Sequence, residues 1–266
     1  VTSVVSQQFN GLSRGSAVWI DLCKNDHEAI VMDQLAHAMS FKKGKSSQNY
    51  PSSLMGAIAL IKQTHHDAEW IEHSEGKDLS LQSWNEMKEL PLLFEVSDKW
   101  EAFNAMDLAD YMGREIILKG NNDEYQRMDE FVRRNPRFIL PLTFPKAMQI
   151  DDPIDLNYAN YADMKHWELA PYNAFMLESK GISFVFTLHG LKNTKEFINA
   201  LKKLKDSGLD EKSILQAMSA TPAKWMGMED GYGDLKEGMK ANFFITENDI
   251  FNKRTKIKQT FIEGLP

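Results

Sequence analysis

Strand-like runs alternate with helical patterns along most of this 266-residue chain. A chain with this alternation buries its strands most readily in a parallel sheet that helices cover. The predicted strands are Val1–Val5, Ala17–Leu22, Leu92–Ser97, Glu115–Lys119, Phe138–Phe144 and Ser183–Leu188. The sequence therefore favours an α/β fold built from βαβ units.

Helical spacing of apolar residues fills the segments between these strands. The clearest case runs from Leu54 to Ile71, directly after Pro51-Ser52-Ser53, where a serine suits the helix N-cap. Further helices are predicted over Trp100–Met112, Asp123–Arg134, Thr194–Ser207 and Ser213–Ser219. The run 42–50, rich in Lys, Ser, Gly and Asn, is predicted to be a loop.

The C-terminal part of the chain predicts a short helix, a turn and two strands. Pro222 suits the first turn of a helix that ends at about Met226, and Gly227 suits its left-handed stop. Glu237-Gly238 then supplies a tight turn. The strands that follow are predicted over Ala241–Thr246 and Lys256–Glu263.

Composition excludes several classes of function. The net charge of −7 and the scattered Lys and Arg argue against nucleic-acid or anionic-membrane binding. No apolar stretch approaches the ~20 residues of a membrane span, so we expect a soluble protein, cytoplasmic or exported. The single cysteine, Cys23, excludes an internal disulfide and a cysteine-rich zinc site. Small molecules are the favoured partners, and homo-oligomer formation stays open.

Several motifs resemble the amidohydrolase superfamily, in its imidazolonepropionase-like and dihydroorotase-like branch. They are Gly11-Leu12-Ser13-Arg14-Gly15-Ser16, Tyr50-Pro51-Ser52-Ser53-Leu54-Met55-Gly56, Lys119-Gly120-Asn121-Asn122-Asp123-Glu124-Tyr125, Pro141-Leu142-Thr143-Phe144-Pro145, Ser219–Met228 and Gly233–Thr246. The resemblance implies a (β/α)8 TIM-type barrel followed by strands of a small composite β-sandwich. It places the barrel over residues 1–231 and the C-terminal part of the sandwich over 232–266.

The start of the chain carries a further implication of the resemblance. Val1–Val5 is similar to the family's second barrel strand, which implies a barrel lacking its first strand within these residues. We therefore expect this chain to be part of a longer protein and to need the missing N-terminal segment, because an opened barrel leaves unpaired strand edges.

The resemblance also implies a function. It implies hydrolysis of a non-peptide C–N bond in a small cyclic amide or related molecule, with water as the nucleophile and a divalent metal such as zinc as the cofactor. The main alternative is a catalytically degenerate binding or scaffold protein with the same fold. A doubly wound α/β binding protein would also explain the alternation, but not the segment from Gly233 to Thr246.

Three positions depart from the metal-ligand pattern that the resemblance implies. A histidine is expected near the end of Leu92–Asp98, but Glu95 or Ser97 stands there, and Ile116–Gly120 also lacks a histidine. His189 stands where the last barrel strand would carry an aspartate. These departures argue against the family's usual zinc centre.

The candidate site residues are therefore His189, Glu95, Lys119 and His166. His189 follows a strand and precedes a glycine, so it could be a general base, a metal ligand or a loop histidine. Glu95 and Lys119 end predicted strands, where charged groups are either paired or catalytic. His166, beside Trp167, is a second metal-ligand candidate or a packing residue. A weaker metal site built from Glu95, His166 and His189 stays open.

Overall fold

The computed structural model describes residues 2–23, 29–148, 152, 154, 157, 159–252 and 254–266. Its strands are β1 (Ser3–Ser6), β2 (Ser13–Asp21), β3 (Ile30–Ser40), β4 (Leu92–Glu95), β5 (Ile116–Lys119), β6 (Arg137–Pro141), β7 (Phe184–Thr187), β8 (Phe243–Thr246) and β9 (Ile257–Phe261). Its α-helices are α1 (Leu54–Glu72), α2 (Leu79–Glu86), α3 (Lys99–Tyr111), α4 (Met128–Arg134), α5 (Tyr161–Leu169), α6 (Asn173–Ser179), α7 (Thr194–Asp206), α8 (Glu211–Met218) and α9 (Ala220–Trp225). The predicted α/β class is confirmed.

The described chain forms two compact units. The first extends to Lys119 and includes residues 261–265, and the second contains residues 120–260. Among the described residues, none of the helices has the length and apolar character needed to cross a membrane.

The sheet of the first unit combines antiparallel and parallel pairing. Strand β1 pairs antiparallel with β2, and β2 pairs antiparallel with β3. Strands β3, β4 and β5 then pair in parallel. The two parallel links contain α1 with α2, and α3, as a crossover between parallel strands requires.

This pairing corrects the expectation for the start of the chain. The interpretation of Val1–Val5 as a parallel barrel strand is wrong for its described part, because Ser3 faces Asp21 in an antiparallel ladder. The link from β1 to β2 holds no helix that could return the chain for parallel pairing. Val1 itself lies outside the described residues.

Packing in the first unit follows from capping and helical periodicity. The Ser53 side chain accepts a hydrogen bond from the Gly56 backbone N at the start of α1, as the sequence predicts. The helix then buries Ala57, Ile61 and Ala68. The parallel strands supply the other side of the core, including the fully buried Phe94 and Leu118.

The second unit contains a parallel pair of strands and a separate two-stranded sheet. Strands β6 and β7 pair in parallel, with Phe138 opposite Phe184. Helix α7 buries Ile198, Leu201 and Leu204 on one face. Strands β8 and β9 form the two-stranded sheet.

The predicted C-terminal helix and turn are confirmed. The helix is observed as α9, and the glycine after it, Gly227, has a left-handed φ of +65°. Gly238 in the turn before β8 has a φ of +90°, which favours glycine. The β-sandwich and the division at residues 231 and 232 stay predictions.

Candidate active site

The parallel strands of the first unit bring three polar side chains to one edge. Ser40 pairs with Glu95, and Glu95 pairs with Lys119, at the carboxyl ends of β3, β4 and β5. Because these strands are parallel, their carboxyl ends meet at the same edge of the sheet. The structure therefore brings together two of the predicted site residues, Glu95 and Lys119.

Glu95 forms an ion cluster with two cations. Its Oε2 accepts a hydrogen bond from Arg14 Nη1 at 2.5 Å, and its Oε1 accepts one from Lys119 Nζ at 2.6 Å. The exposed fractions of the three side chains are 4% for Arg14, 13% for Lys119 and 27% for Glu95. We call Arg14, Glu95 and Lys119 the strand-end cluster. Sequence reasoning missed Arg14, which only the antiparallel pairing of β2 and β3 brings to this edge.

The cluster fixes the charge of Glu95. Burial alone would raise the pKa of its carboxyl, because it disfavours the charged form. Hydrogen bonds and charge from Arg14 and Lys119 outweigh burial, so the pKa lies below its ordinary value. Glu95 is therefore a carboxylate at neutral pH.

A different polar arrangement follows Gly120 in the second unit. Asn122 has a left-handed φ of +63°, and its Nδ2 donates to the carbonyl oxygens of Pro141, at 2.8 Å, and Thr143, at 3.2 Å. These bonds tie the loop that carries Asn122 to the carboxyl end of β6. The asparagine thus provides a hydrogen-bond donor for carbonyl groups at the end of β6 and just beyond it.

A buried carboxyl group, Glu124, stabilises the same loop. Its Oε1 accepts from the Asn121 backbone N at 2.9 Å, and its Oε2 accepts from Asn173 Nδ2 at 2.7 Å. Burial, with a contribution from the charge of Asp123, raises the pKa of Glu124 from 4.5 to about 7. Sequence reasoning missed Glu124 and Asn173. The sequence signal that could have indicated Glu124 was its place inside the motif Lys119–Tyr125.

The two histidine candidates lie apart in the second unit's secondary structure. His189 is exposed in the turn that follows β7, where its backbone N donates to Thr187 Oγ1 at 3.2 Å. His166 lies on α5 and stacks on the Tyr125 ring, with 6.2 Å between ring centroids, and its Nδ1 is 3.4 Å from the Tyr125 hydroxyl. The catalytic and metal-binding roles assigned to these histidines stay predictions.

The first unit also buries a histidine that the sequence did not single out. His37 lies in β3, with Nε2 2.7 Å from Ser13 Oγ and Nδ1 3.1 Å from Arg114 Nη1. Its ring meets Trp84 edge to face. Burial, followed by the charge of Arg114, lowers its pKa to about 3. His37 pairs with Leu92 at the start of β4, so it lies at the end of the sheet opposite Glu95.

The strand-end residues do not fit a family-type metal centre. Both Glu95 oxygens already contact cationic side chains, so Glu95 would have to give up these contacts to bind a metal ion. Across the described residues, no group of three or more His, Cys, Asp and Glu side chains is placed to hold a metal ion. A hollow between α1 and α2, lined by Ile71 and Gln82 among others, lies away from the strand ends.

Parallel strands linked by helices, with charged groups at the strands' carboxyl ends, are an arrangement that α/β barrels share. The amidohydrolase family model matches residues 174–265. This match covers about a third of the chain and supports the resemblance to the amidohydrolase superfamily over those residues. The branch within the superfamily, and membership over the rest of the chain, stay predictions.

Solved structures support the same fold. An amidohydrolase from Thermotoga maritima MSB8 aligns with 100% of this chain and 71% of its own length, at a TM-score of 0.78 and 16% identity. Molinate hydrolase aligns with 65% of this chain and 42% of its own length, at a TM-score of 0.42 and 14% identity. A Xaa-Pro dipeptidase aligns over 98% and 94%, at a TM-score of 0.45 and 10% identity. Only the first likeness bears on the fold, as part of a TIM-type barrel. No curated protein matches the chain.

Proposed function

We propose that this chain hydrolyses a C–N bond in a small cyclic amide or a related molecule, with water as the nucleophile. The match of residues 174–265 to the amidohydrolase family model supports the reaction type. The observation that carries the assignment to particular residues is the strand-end cluster, because the carboxyl ends of parallel strands are where such folds hold their chemistry.

Each charge in the cluster has a use in amide hydrolysis. The Lys119 ammonium would stabilise the negative charge that develops on the amide oxygen as water adds to the carbon. The Glu95 carboxylate would accept a hydrogen bond from that water and orient it. Arg14 would hold Glu95 charged and fixed. The C–N bond then breaks, and the water's proton passes to the departing nitrogen.

His189 is a second candidate base, and we propose it from its own position in the second unit. It follows β7 at the carboxyl end, and its side chain is exposed, so a substrate or water can reach the imidazole. An imidazole in such a position can act as a general base toward water. His166 stays a weaker candidate as a metal ligand, because its ring is stacked on Tyr125.

A metal, when bound in members of this superfamily, supplies an activated water and polarises the bond under attack. The strand-end residues of this chain do not supply a matching ligand set, as described above. We therefore assign the steps of the proposed reaction to side chains alone.

Hydrolysis of a panel of lactams, imides and N-acyl amides, followed by amine release, tests this function. We expect turnover by the wild-type chain and a loss of at least about 100-fold in kcat for Lys119→Met, because the charge acts in the transition state. Glu95→Gln should also lower kcat, and His189→Ala tests the second base separately. Lys165→Met and Glu168→Gln are matched controls, because this pair is exposed on α5.

The runner-up function is a catalytically degenerate binding protein of the same fold. The observation that favours it is the engagement of both Glu95 oxygens by cations, which resembles a structural ion cluster. Turnover assays on the same panel, with and without added zinc and with the metal content checked by elemental analysis, separate the two functions. Turnover that Lys119→Met abolishes supports the hydrolase. No turnover on the panel, with or without zinc, would support the binding protein.

A further inference from the structure

We infer that the first unit holds a binding site for the oxyanion group of a small, ring-containing molecule. The site surrounds Phe9, between the strand-end cluster and residues 42–45 (Lys-Lys-Gly-Lys), which we call the basic loop. The inference rests on the proposed function only in the identity of the ligand, because under that function the bound anion would be part of the substrate. Binding itself requires no turnover.

Phe9 lies beside Lys119 of the strand-end cluster and beside the backbone of the basic loop. Lys119 Nζ lies 5.9 Å from the centroid of the Phe9 ring, within the range of a cation–π contact. The Phe9 side chain is nevertheless 50% exposed. An aromatic ring that is half exposed beside a cation offers a flat apolar surface to a ligand ring.

Backbone contacts hold the basic loop beside Phe9. The Gly11 backbone N donates to the Lys43 carbonyl at 3.0 Å, and the Lys45 backbone N donates to Asn10 Oδ1 at 2.9 Å. Gly44 has a φ of +59°, and a Cβ at this position would lie 2.7 Å from the Phe9 carbonyl oxygen. Only glycine allows this close approach, so the loop is fixed next to the ring.

The charges around Phe9 favour an anion. The strand-end cluster has one more cation than carboxylates, and the basic loop adds lysines, of which Lys42 and Lys45 are exposed. The acidic residues that follow β4 in the sequence, Asp98 and Glu101, form hydrogen bonds at the start of α3. The Asp98 side chain accepts from two backbone N–H groups of that helix, and Glu101 accepts from the Ser97 backbone N. This excess of positive charge lies in a chain whose net charge is −7.

The shared chemistry of the ligand is therefore a terminal oxyanion on a ring. Lysine and arginine bind carboxylate and phosphate groups through charge-assisted hydrogen bonds, and Phe9 would contact the ring. Because the site is open to water, its affinity should fall as salt is added.

Calorimetric titration at low ionic strength with three probes tests the site. Benzoate and benzamide have the same shape and differ in charge, and phenyl phosphate supplies the second oxyanion. We expect at least one anion to bind about tenfold more tightly than benzamide. Stronger binding of phenyl phosphate would assign a phosphate group, and stronger binding of benzoate a carboxylate. Equal binding of all three probes would overturn the inference.

Two variants locate the site. Lys119→Met and the double variant Lys42→Gln/Lys45→Gln should each weaken anion binding by about fivefold or more, while benzamide binding stays unchanged. The double variant changes only exposed residues, so it guards against a folding defect in Lys119→Met. Lys165→Met is the matched control and should bind as wild type. Wild-type anion affinity in both test variants would refute the site.

The outcomes also separate this inference from the proposed function. Anion binding without hydrolysis of any panel compound would leave the site in place and remove the hydrolase. Hydrolysis of neutral amides, with the anionic probes binding no better than benzamide, would do the reverse.

Discussion

Each of the two units holds a partly or fully buried glutamate, and the two residues are in opposite electrostatic states. Glu95 ends β4 between Arg14 and Lys119, and its pKa lies below the ordinary value. Glu124 follows β5 with neutral donors from Asn121 and Asn173, and its pKa is raised to about 7. The residue type is shared, so the difference in charge comes from deeper burial at Glu124 and from the cationic partners at Glu95.

The difference has a consequence for what each carboxyl can do. Glu95 keeps its negative charge through the neutral range, which suits orientation of water or of a cation. Glu124 gains or loses its proton near neutrality, but it is buried and its two oxygens hold Asn121 and Asn173 in place. Its role is therefore structural, and its titration should change stability.

Removal of the ionisable group of Glu124 should give the largest effect. Its pKa is raised from 4.5 to about 7, so the folded state binds the proton more tightly than the unfolded state does. The contribution of this group to the free energy of unfolding is at its maximum below pH 4.5 and decreases as the pH rises through 7. The decrease between pH 5 and pH 8 is roughly 2 to 3 kcal/mol. Glu124→Gln should not show this fall.

Urea unfolding of wild type and Glu124→Gln at pH 5 and pH 8 measures the difference. Other groups also make stability depend on pH in this range, including His37, which takes up a proton near pH 6.5 in the unfolded state but has a pKa of about 3 in the folded state. They affect both proteins alike, so the change in the gap between the two isolates Glu124. Glu168→Gln, at an exposed position on α5, is the control. A gap that stays constant between pH 5 and pH 8 would contradict the raised pKa.

Removal of a cation from Glu95 should give the next largest effect. Arg14→Met leaves a half-buried carboxylate with Lys119 as its remaining cation in the cluster, and we expect a loss of about 2 kcal/mol at pH 7. Because a lowered pKa stabilises the folded state above the ordinary value of 4.5, the loss should shrink as the pH falls below it.

The double variant Arg14→Met/Glu95→Gln tests the cause of that loss. It removes the charge that Arg14 compensates, so it should recover part of the stability. Arg127→Met is the control and should lose less, because the Arg127 side chain is 40% exposed in its pair with Glu130 whereas that of Arg14 is 4% exposed. If the double variant is no more stable than Arg14→Met, packing rather than charge makes the contribution of Arg14.

Much of the fold could be predicted from the sequence, because its helices and parallel strands follow simple periodicity. Helix α3 was predicted at nearly its observed bounds, and β5 was predicted within one residue. Strand β3 was missed, since Asp33, Gln34 and His37 interrupt the apolar pattern that identifies a strand. Its long antiparallel pairing with β2 is a tertiary fact that periodicity does not encode.

The candidate site was only half predictable for a related reason. Glu95 and Lys119 end strands, so their position alone indicated that they meet, and the structure joins them at 2.6 Å. Arg14 is distant in sequence and reaches Glu95 through the path of β2. Asn173 likewise reaches Glu124 from another helix, so neither contact has a local signal.

The smallest expected effect concerns the space that Glu124 needs. Gly120 has no left-handed φ, but a Cβ built on it would overlap Glu124 Oε1. Gly120→Ala should therefore displace the carboxyl from the Asn121 and Asn173 donors and lower the free energy of unfolding by about 1 to 2 kcal/mol. Gly231→Ala is a matched control, because nothing lies within 4 Å of its Cβ position and its φ is not left-handed. Urea unfolding of both variants measures the difference.

The same substitution in the Glu124→Ala background tests the cause of this loss. There Gly120→Ala should lower the free energy of unfolding much less than it does in the wild-type chain, since the overlapping atom is gone. An equal loss from Gly120→Ala in both backgrounds would show that the backbone, and not the carboxyl, requires glycine at this position.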